Sequence, residues 1–245
     1  MARPIGIDLF SGAGGMSLGF EQAGFDVVAA VELDPVHAAV HKYNFPNCAV
    51  IARSVTEVSG DDIRSAASIG DRQVDVVFGG APCQGFSLIG QRAFDDPRNS
   101  LVKDFVRLVK ELDSAYFVFE NVKGLTVGKH RKFLLELIEE FKEVGYDVVE
   151  DWKVLNAADY GTPQDRQRLI LLGAKKGCSL PEYQAKAKDK PTCKDALDDL
   201  PDAELYEELR SSDTVQNAAF GAPSKYAESL RGLGNEAWGF GYPRN

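Results

Sequence analysis

Three absences narrow what this chain is. None of its 245 residues falls in an apolar run long enough to cross a bilayer, and no charged-then-apolar leader with a cleavage site is visible. The expectation is an intracellular, cytoplasmic protein without membrane contact. Four cysteines, Cys48, Cys83, Cys178 and Cys193, are scattered with no C-x-x-C pair and no neighbouring histidine, so neither a zinc site nor a disulfide framework is expected. Histidine is rarer still. Of His37, His41 and His130, the first two stand four apart on a predicted helix, which without a third ligand reads as a solvated face. No metal site is expected. Positive charge is also short, with 28 Lys and Arg against 37 Asp and Glu and a net charge of −9. Phosphate contacts depend on Lys and Arg. If this chain meets nucleic acid, much of the basic surface is expected to belong to something else.

What is present is an ordinary folded composition, 44% apolar and 27% charged, on a chain long enough for a substantial core. Short β-branched runs alternate with amphipathic stretches. Strands are predicted at Ile5 to Phe10, Val27 to Val31, Ala49 to Ala52, Val74 to Phe78, Ala115 to Phe119, Tyr146 to Leu155 and Leu169 to Ala174. Helices are predicted at Gly14 to Ala23, Pro35 to Tyr43, Asn99 to Leu112 and Phe133 to Val144, with Pro35 suited to a first helical turn. The alternation predicts an α/β fold with a parallel sheet covered on both faces. After Gly173 the texture changes to charged, proline-punctuated sequence. Two short helices are expected there, Cys193 to Leu200 and Ala203 to Arg210, and then a glycine-, serine- and proline-rich stretch ending in Trp238, Phe240 and Tyr242. Such a tail suits a buried interface better than a solvated end.

Four segments carry chemistry. Asp8-Leu9-Phe10-Ser11-Gly12-Ala13-Gly14-Gly15 lies between a strand and a helix, where glycines allow close approach and a helix N-terminus offers free N–H groups. The next strand ends at Glu32, placed to grip a ribose diol. Ser17 occupies the third glycine position of G-x-G-x-x-G, and at this point both NAD and S-adenosylmethionine fit, as does an oxidoreductase. Cys83, in Ala81-Pro82-Cys83-Gln84-Gly85, follows an apolar strand, and a thiolate there would attack a soft, unsaturated electrophile. Glu120, in Phe119-Glu120-Asn121-Val122, ends another apolar run, and its carboxyl is expected to be desolvated and to favour the protonated donor. The fourth segment is Gln164-Asp165-Arg166-Gln167-Arg168, preceded by Asn156-Ala157-Ala158-Asp159-Tyr160-Gly161.

In this order the four segments resemble the DNA cytosine-5 methyltransferases, strongly over residues 5 to about 175 and weakly over 191 to 201. The resemblance implies a Rossmann-like S-adenosylmethionine-dependent methyltransferase fold with a mostly parallel sheet. It implies that Cys83 adds to C6 of a flipped cytosine, that Glu120 holds the N3 edge, that Arg166 faces the O2 side, and that Arg168 supports Glu120. Residues 85 to 92 correspond to a closing loop, with Gln84, Ser87 and Arg98 toward the nucleic acid. The cofactor would lie on Phe10, Ser11, Gly12, Gly14, Gly15, Glu32, Leu33, Ser54, Val55 and Leu101. One departure concerns the adenine end, where Arg53-Ser54-Val55 stands in place of Gly-Asp-Ile, so weaker cofactor binding is expected.

The second departure is in length. Family members continue into a target-recognition domain and an Asn-containing helix, and neither is visible by Asn245. The expected division is therefore a catalytic and cofactor-binding part, 1–175, and an extension, 176–245, that leads to a recognition module. Double-stranded DNA and a second, smaller subunit are the expected partners. An RNA cytosine methyltransferase and a non-catalytic scaffold are the alternatives.

Overall fold

The computed structural model describes residues 2–82, 99–128 and 130–231. The chain divides into two compact units, Met1–Leu155 with Gln167–Gln184, and Asn156–Arg166 with Ala185–Asn245. The first unit is built on strands β1 (Ile5–Leu9), β2 (Asp26–Val31), β3 (Ala49–Ile51), β4 (Val76–Gly79), β5 (Tyr116–Val122), β6 (Tyr146–Val148), β7 (Lys153–Asn156) and β8 (Gln167–Lys175). Its helices are α1 (Gly15–Gln22), α2 (Pro35–Asn44), α3 (Gly60–Ala66), α4 (Ser100–Glu111) and α5 (His130–Glu143). The second unit contains two short helices, α6 (Cys193–Leu197) and α7 (Lys225–Leu230).

The sheet runs β3-β2-β1-β4-β5-β8-β6, with β7 paired to β8. Strands β1 to β5 are parallel, whereas β8 runs antiparallel to both β5 and β6. The chain winds outward from β1 to β3, then returns to lay β4 on the other side of β1. That reversal opens a crevice at the carboxyl ends of β1 and β4, the usual place for a ligand in such sheets. Every residue of β1 and β4 is buried, so both faces of these strands are covered.

Helix α2 starts as its sequence dictates, with Asp34 accepting from the N–H groups of Val36 and His37 and Pro35 in the first turn. Helix α4 buries Val102, Phe105, Val106, Leu108 and Val109, and α5 buries Phe133, Leu134, Leu137 and Phe141. Around these, Phe117 stacks on Phe141 at 3.9 Å and Phe105 meets Phe119 edge-on at 5.3 Å. Gly173 of β8 faces this cluster, and a Cβ there would stand 2.1 Å from the Phe117 ring.

Four expectations need correction. The stretch Tyr146 to Leu155 is two strands, because exposed Glu150 and Asp151 form a bend between β6 and β7. Helix α3 went unpredicted; it is short, but Ser59 and Asp62 form a reciprocal capping box at its start. Residues 203 to 210 form two 3-10 turns, Ala203–Leu205 and Glu207–Arg210, and α6 stops at Leu197, ahead of Pro201. Finally, His41 is not solvated: it is wholly buried beside Phe45, with ring centroids 4.8 Å apart, and burial pushes its imidazole pKa down. Among the described residues no group of three His, Cys, Asp or Glu could hold a metal, and no helix is long and apolar enough to cross a membrane.

Gly173→Ala should cost about 1–3 kcal/mol, since the extra methyl must displace a stacked ring in a packed core. Urea unfolding checks this; an unchanged midpoint would mean that the Phe117–Phe141 stack yields freely.

Candidate active site

A cavity of about 330 Å³ opens at the crevice, lined by Phe10, Val31, Glu32, Leu33, Arg53, Ser54, Val55, Gly80, Pro82 and Leu101. These residues come from the ends of β1, β2 and β4, the turn after β3 and the start of α4, so the strand order alone brings them together. Six of the ten residues expected at a cofactor site line it: Phe10, Glu32, Leu33, Ser54, Val55 and Leu101. Ser11, Gly12, Gly14 and Gly15 form the adjoining turn and are not among the lining residues. The sequence reading did not assign Val31, Arg53, Gly80 or Pro82 to the site. Pro82 and Gly80 were legible as part of the cysteine loop, but their place beside the cavity depends on β4 lying next to β1.

The turn is held by backbone and carboxylate together. Phe10 takes a left-handed φ of 62°, uncommon for a bulky residue, and the N–H groups of Phe10 and Ser11 both donate to the Val31 carbonyl. The Gly12 N–H donates to Glu32 Oε2 at 2.7 Å, and the Asp34 N–H donates to Glu32 Oε1 at 2.9 Å. Glu32 therefore fixes the turn and the entry to α2, with lone pairs left for a ligand hydroxyl. Gly14 has no alternative: its φ is 99°, and a Cβ would lie 2.2 Å from the Phe45 ring. The Ser11 hydroxyl is buried and, among the described residues, has no hydrogen-bond partner, an orphan that a polar ligand group would satisfy.

The adenine end differs from the simple expectation. The Ser54 hydroxyl caps the 3-10 turn Val55–Glu57 and lies 2.8 Å from Thr56 Oγ1, so it is already engaged. That turn is braced from α4: Arg107 donates to the carbonyls of Val55 at 2.7 Å and Val58 at 3.1 Å.

Glu120 lies near the end of β5, and Arg168 on the antiparallel β8 reaches it, with Nε 2.8 Å from Oε1. The Glu120 side chain is 23% exposed and ion-paired, so the expected desolvated carboxyl is not what the structure has. Gly80 separates this pair from the cavity. It lines the cavity, and a Cβ on it would stand 2.6 Å from Glu120 Oε2. The neighbouring Asn121, 5% exposed, donates from Nδ2 to the Ala81 carbonyl at 2.9 Å, which ties β5 to the start of the cysteine loop. Arg166 sits in the second unit, exposed, with its backbone N–H on Asn156 Oδ1. Cys83, Gln84, Ser87 and Arg98 lie outside the described residues, as do Trp238, Phe240 and Tyr242. Cys48 is buried and its thiol is pushed up to about 12, so it is unreactive at neutral pH.

A mostly parallel sheet that reverses beside a glycine turn, with an acid ending the second strand, is a Rossmann-like α/β fold, and the solved structures it resembles place it in the methyltransferase class. The profile of the C-5 cytosine-specific DNA methylases matches residues 5–228, and the chain belongs to that family. It is 62% identical over 244 residues to the Type II methyltransferase M.XorII of Xanthomonas oryzae pv. oryzae, covering 100% of this chain and 57% of that protein. It is 40% identical to the Type II methyltransferase M.AquIA of Picosynechococcus, covering 80% of this chain and 89% of the relative. Among solved structures, one assigned as a DNA modification methyltransferase encoded within an E. coli prophage matches with a TM-score of 0.70 and 38% identity. That match covers 81% of this chain and 56% of the other. The chain thus spans about half the length of most of these relatives. The family takes its methyl group from S-adenosylmethionine, and the cavity, the Glu32 carboxylate and the orphan Ser11 hydroxyl fit that cofactor.

One buried group beneath the turn makes a measurable prediction. Asp8, 1% exposed, accepts a 2.6 Å hydrogen bond from Ser17, and burial raises its pKa from 3.8 to about 7. The folded state thus holds a proton that the unfolded chain releases at lower pH. Stability should fall as pH rises from about 4 to about 7, by roughly 4 kcal/mol in all, and then level off. Asp8→Asn keeps an acceptor for Ser17 and should remove that slope, gaining on the wild type as pH rises. Urea unfolding across this range checks it; parallel profiles for the two proteins would exclude Asp8 as the source.

Proposed function

We propose that this chain is the catalytic half of a DNA cytosine C5-methyltransferase of restriction-modification type, which works in the cytoplasm with a second, smaller subunit that recognises the target. The observation that carries this is Gly80, whose backbone borders the cofactor cavity on one side and the Glu120 carboxylate on the other. In this reading residues 1–175 bind the cofactor and perform the chemistry, and 176–245 lead to the recognition module. This chain covers 89% of the Type II methyltransferase M.AquIA and 57% of the Type II methyltransferase M.XorII.

Each residue then has a task. Glu32 grips the ribose diol while holding the glycine turn, and Phe10, Leu33, Val55 and Leu101 provide the apolar walls for the adenosyl group. Bound there, S-adenosylmethionine supplies an electrophilic methyl group. Glu120, oriented by Arg168, holds the N3 edge of a flipped cytosine, and Arg166 faces its O2 side. The Cys83 thiolate forms a bond to C6, which breaks the C5–C6 double bond and makes C5 nucleophilic toward that methyl group. Once C5 carries that methyl group, loss of the C5 proton would restore the double bond and expel the thiolate. Gln84, Ser87 and Arg98 contact the DNA around the site, and closure of the loop excludes water from the adduct.

Cys83→Ser should abolish methyl transfer while leaving the fold intact, because a hydroxyl is a far weaker nucleophile at neutral pH. Assayed beside the wild type with the recognition subunit supplied, a variant retaining a tenth of the turnover would exclude covalent catalysis. Duplex DNA carrying 5-fluorocytosine, which cannot lose a C5 proton, should trap an adduct that maps to Cys83.

Glu32→Ala should weaken S-adenosylmethionine binding about ten- to a hundred-fold, the value of a hydrogen bond to a charged acceptor, with little change in DNA affinity. Glu32→Gln keeps one acceptor oxygen and should lie between. Calorimetric titration of the chain alone reads both, and unchanged affinity for the Ala variant would remove Glu32 from the site.

A further inference from the structure

The adenine end of the cavity has little of its own to hold it in place. Ser54 and Val55 line it, at the start of the three-residue 3-10 turn Val55–Glu57, which comes soon after the three-residue strand β3. Such turns have poorer hydrogen-bond geometry than an α-helix. Within this one the Glu57 N–H reaches the Ser54 carbonyl at 3.0 Å, but the Val58 N–H reaches the Val55 carbonyl only at 3.5 Å, and the Arg53 side chain donates to the Glu57 carbonyl. A further hold comes from α4. Arg107 Nη2 donates to the Val55 carbonyl at 2.7 Å and Nη1 to the Val58 carbonyl at 3.1 Å. Two carboxylates orient that guanidinium from behind: Nε donates to Asp104 Oδ1 at 2.9 Å, and Nη1 lies 3.0 Å from both oxygens of Glu111. Glu111 Oε2 also accepts from the Gly60 N–H at 2.8 Å, so the same network fixes the entry to α3. Leu101, at the start of α4, lines the cavity as well. One helix thus supplies part of the lining and the guanidinium that secures another part.

We infer that Arg107 is a positioning residue for the cofactor: through the Val55 and Val58 carbonyls it sets the turn against which the adenine ring is read. This role rests on the S-adenosylmethionine reading of the cavity and adds to it a residue outside the cavity lining. Ser54 brings no charge to the base, and its hydroxyl is engaged with Thr56. Recognition of the adenine edge then depends on where the backbone of the turn stands, and a displacement of about 1 Å is enough to lose a hydrogen bond. Lysine at this position would keep a positive charge beside Asp104 and Glu111, but its compact ammonium lacks the planar fork that spans two carbonyls.

The test is calorimetric titration of the full chain with two ligands, S-adenosylhomocysteine and S-inosylhomocysteine. In the second, oxygen replaces the 6-amino group and N1 carries a hydrogen, so only the base edge differs. Wild type should prefer the adenosyl compound by roughly tenfold or more, the value of a hydrogen bond made or missed at that edge. Arg107→Ala should weaken the adenosyl compound by about the same factor and the inosyl compound far less, so the preference collapses. Arg107→Lys should fall between the two. Gly173→Ala, which loosens the core without touching the turn, is the control for lost stability and should keep both affinities. Equal losses on both ligands, a preference that survives in Arg107→Ala, or the same losses in Gly173→Ala would overturn the inference and leave the cofactor reading intact. So would a wild type that binds both ligands equally well. If urea unfolding shows that Arg107→Ala does not fold, Arg107→Lys decides, and an unchanged preference there overturns the role. A wild-type chain that binds neither ligand would overturn the cofactor reading and this role with it.

Discussion

At Gly80 the chain leaving β4 passes so close to the Glu120 carboxylate that no side chain fits between them, and much of the first unit follows from that approach. Gly79 before it is under a similar limit, since a Cβ there would fall 2.0 Å from the Leu9 carbonyl. Two successive glycines therefore let β4 end tightly between β1 and β5, with Val76 to Gly79 in register with Gly6 to Leu9 on one side and Tyr116 to Phe119 on the other. Glu120 is the next residue along β5 and is held from the opposite direction by Arg168 on β8. The antiparallel placement of β8 puts Arg168 across from Val122, two residues past the carboxylate it binds. A parallel strand from the same segment would need a long crossover and would present a different residue.

The second constraint lies beneath the glycine turn. The residue that spoils the dinucleotide-binding glycine pattern, Ser17, is wholly buried and donates to Asp8, so the position is used to satisfy a carboxyl that the sheet has swallowed. Burial of Asp8, which has no cationic partner among the described residues, is costly, and the molecule reduces that cost by keeping the proton. The gain is rigidity under a turn that already carries a left-handed Phe10. Glu32 completes the same arrangement from above, taking two backbone N–H groups with one carboxylate. The cofactor end of the first unit is thus assembled from polar groups that hold one another, with the Ser11 hydroxyl left open.

How much of this could be read beforehand varies with the physical origin of each feature. The glycine turn, Glu32 and the strand–helix alternation were legible because local chemistry dictates them: φ angles that few residues tolerate, a proline suited to a first turn, and apolar faces at helical spacing. Helix α3 escaped because a seven-residue helix with only Gly60 and Ile63 buried has almost no periodicity, although its Ser59–Asp62 capping box is explicit. Helix α7 escaped in the same way, hidden in glycine- and proline-rich sequence with Ser224 as its only signal. His41 was misjudged since i, i+4 spacing cannot say which face of a helix is buried. The environment of Glu120 was misjudged for a different reason. An apolar run before a carboxylate suggests desolvation, whereas Arg168, named as the support of Glu120 only through the resemblance, pairs with it from a strand 48 positions later in the chain. Arg53, Gly80 and Pro82 join the cavity only once the sheet order is known.

The charge of the chain also looks different once it has a structure. A net −9 argues against nucleic acid when treated as a sum, but at physiological salt the field of each exposed charge fades within about 8 Å. What a phosphate meets is therefore the local set of side chains, and in the second unit some acids and bases are paired: Asp159 with Lys186 and Lys190, Lys194 with Asp198, Asp199 with Arg231. The two one-to-one pairs are neutral at short range and contribute little to attraction or repulsion, whereas Asp159 with its two lysines keeps one positive charge. The groups that decide contact are the unpaired ones, and among the described residues of the second unit these carry both signs, Lys188 and Lys225 alongside Asp189. The global charge then acts mainly on the encounter, slowing unguided approach of a polyanion to this chain.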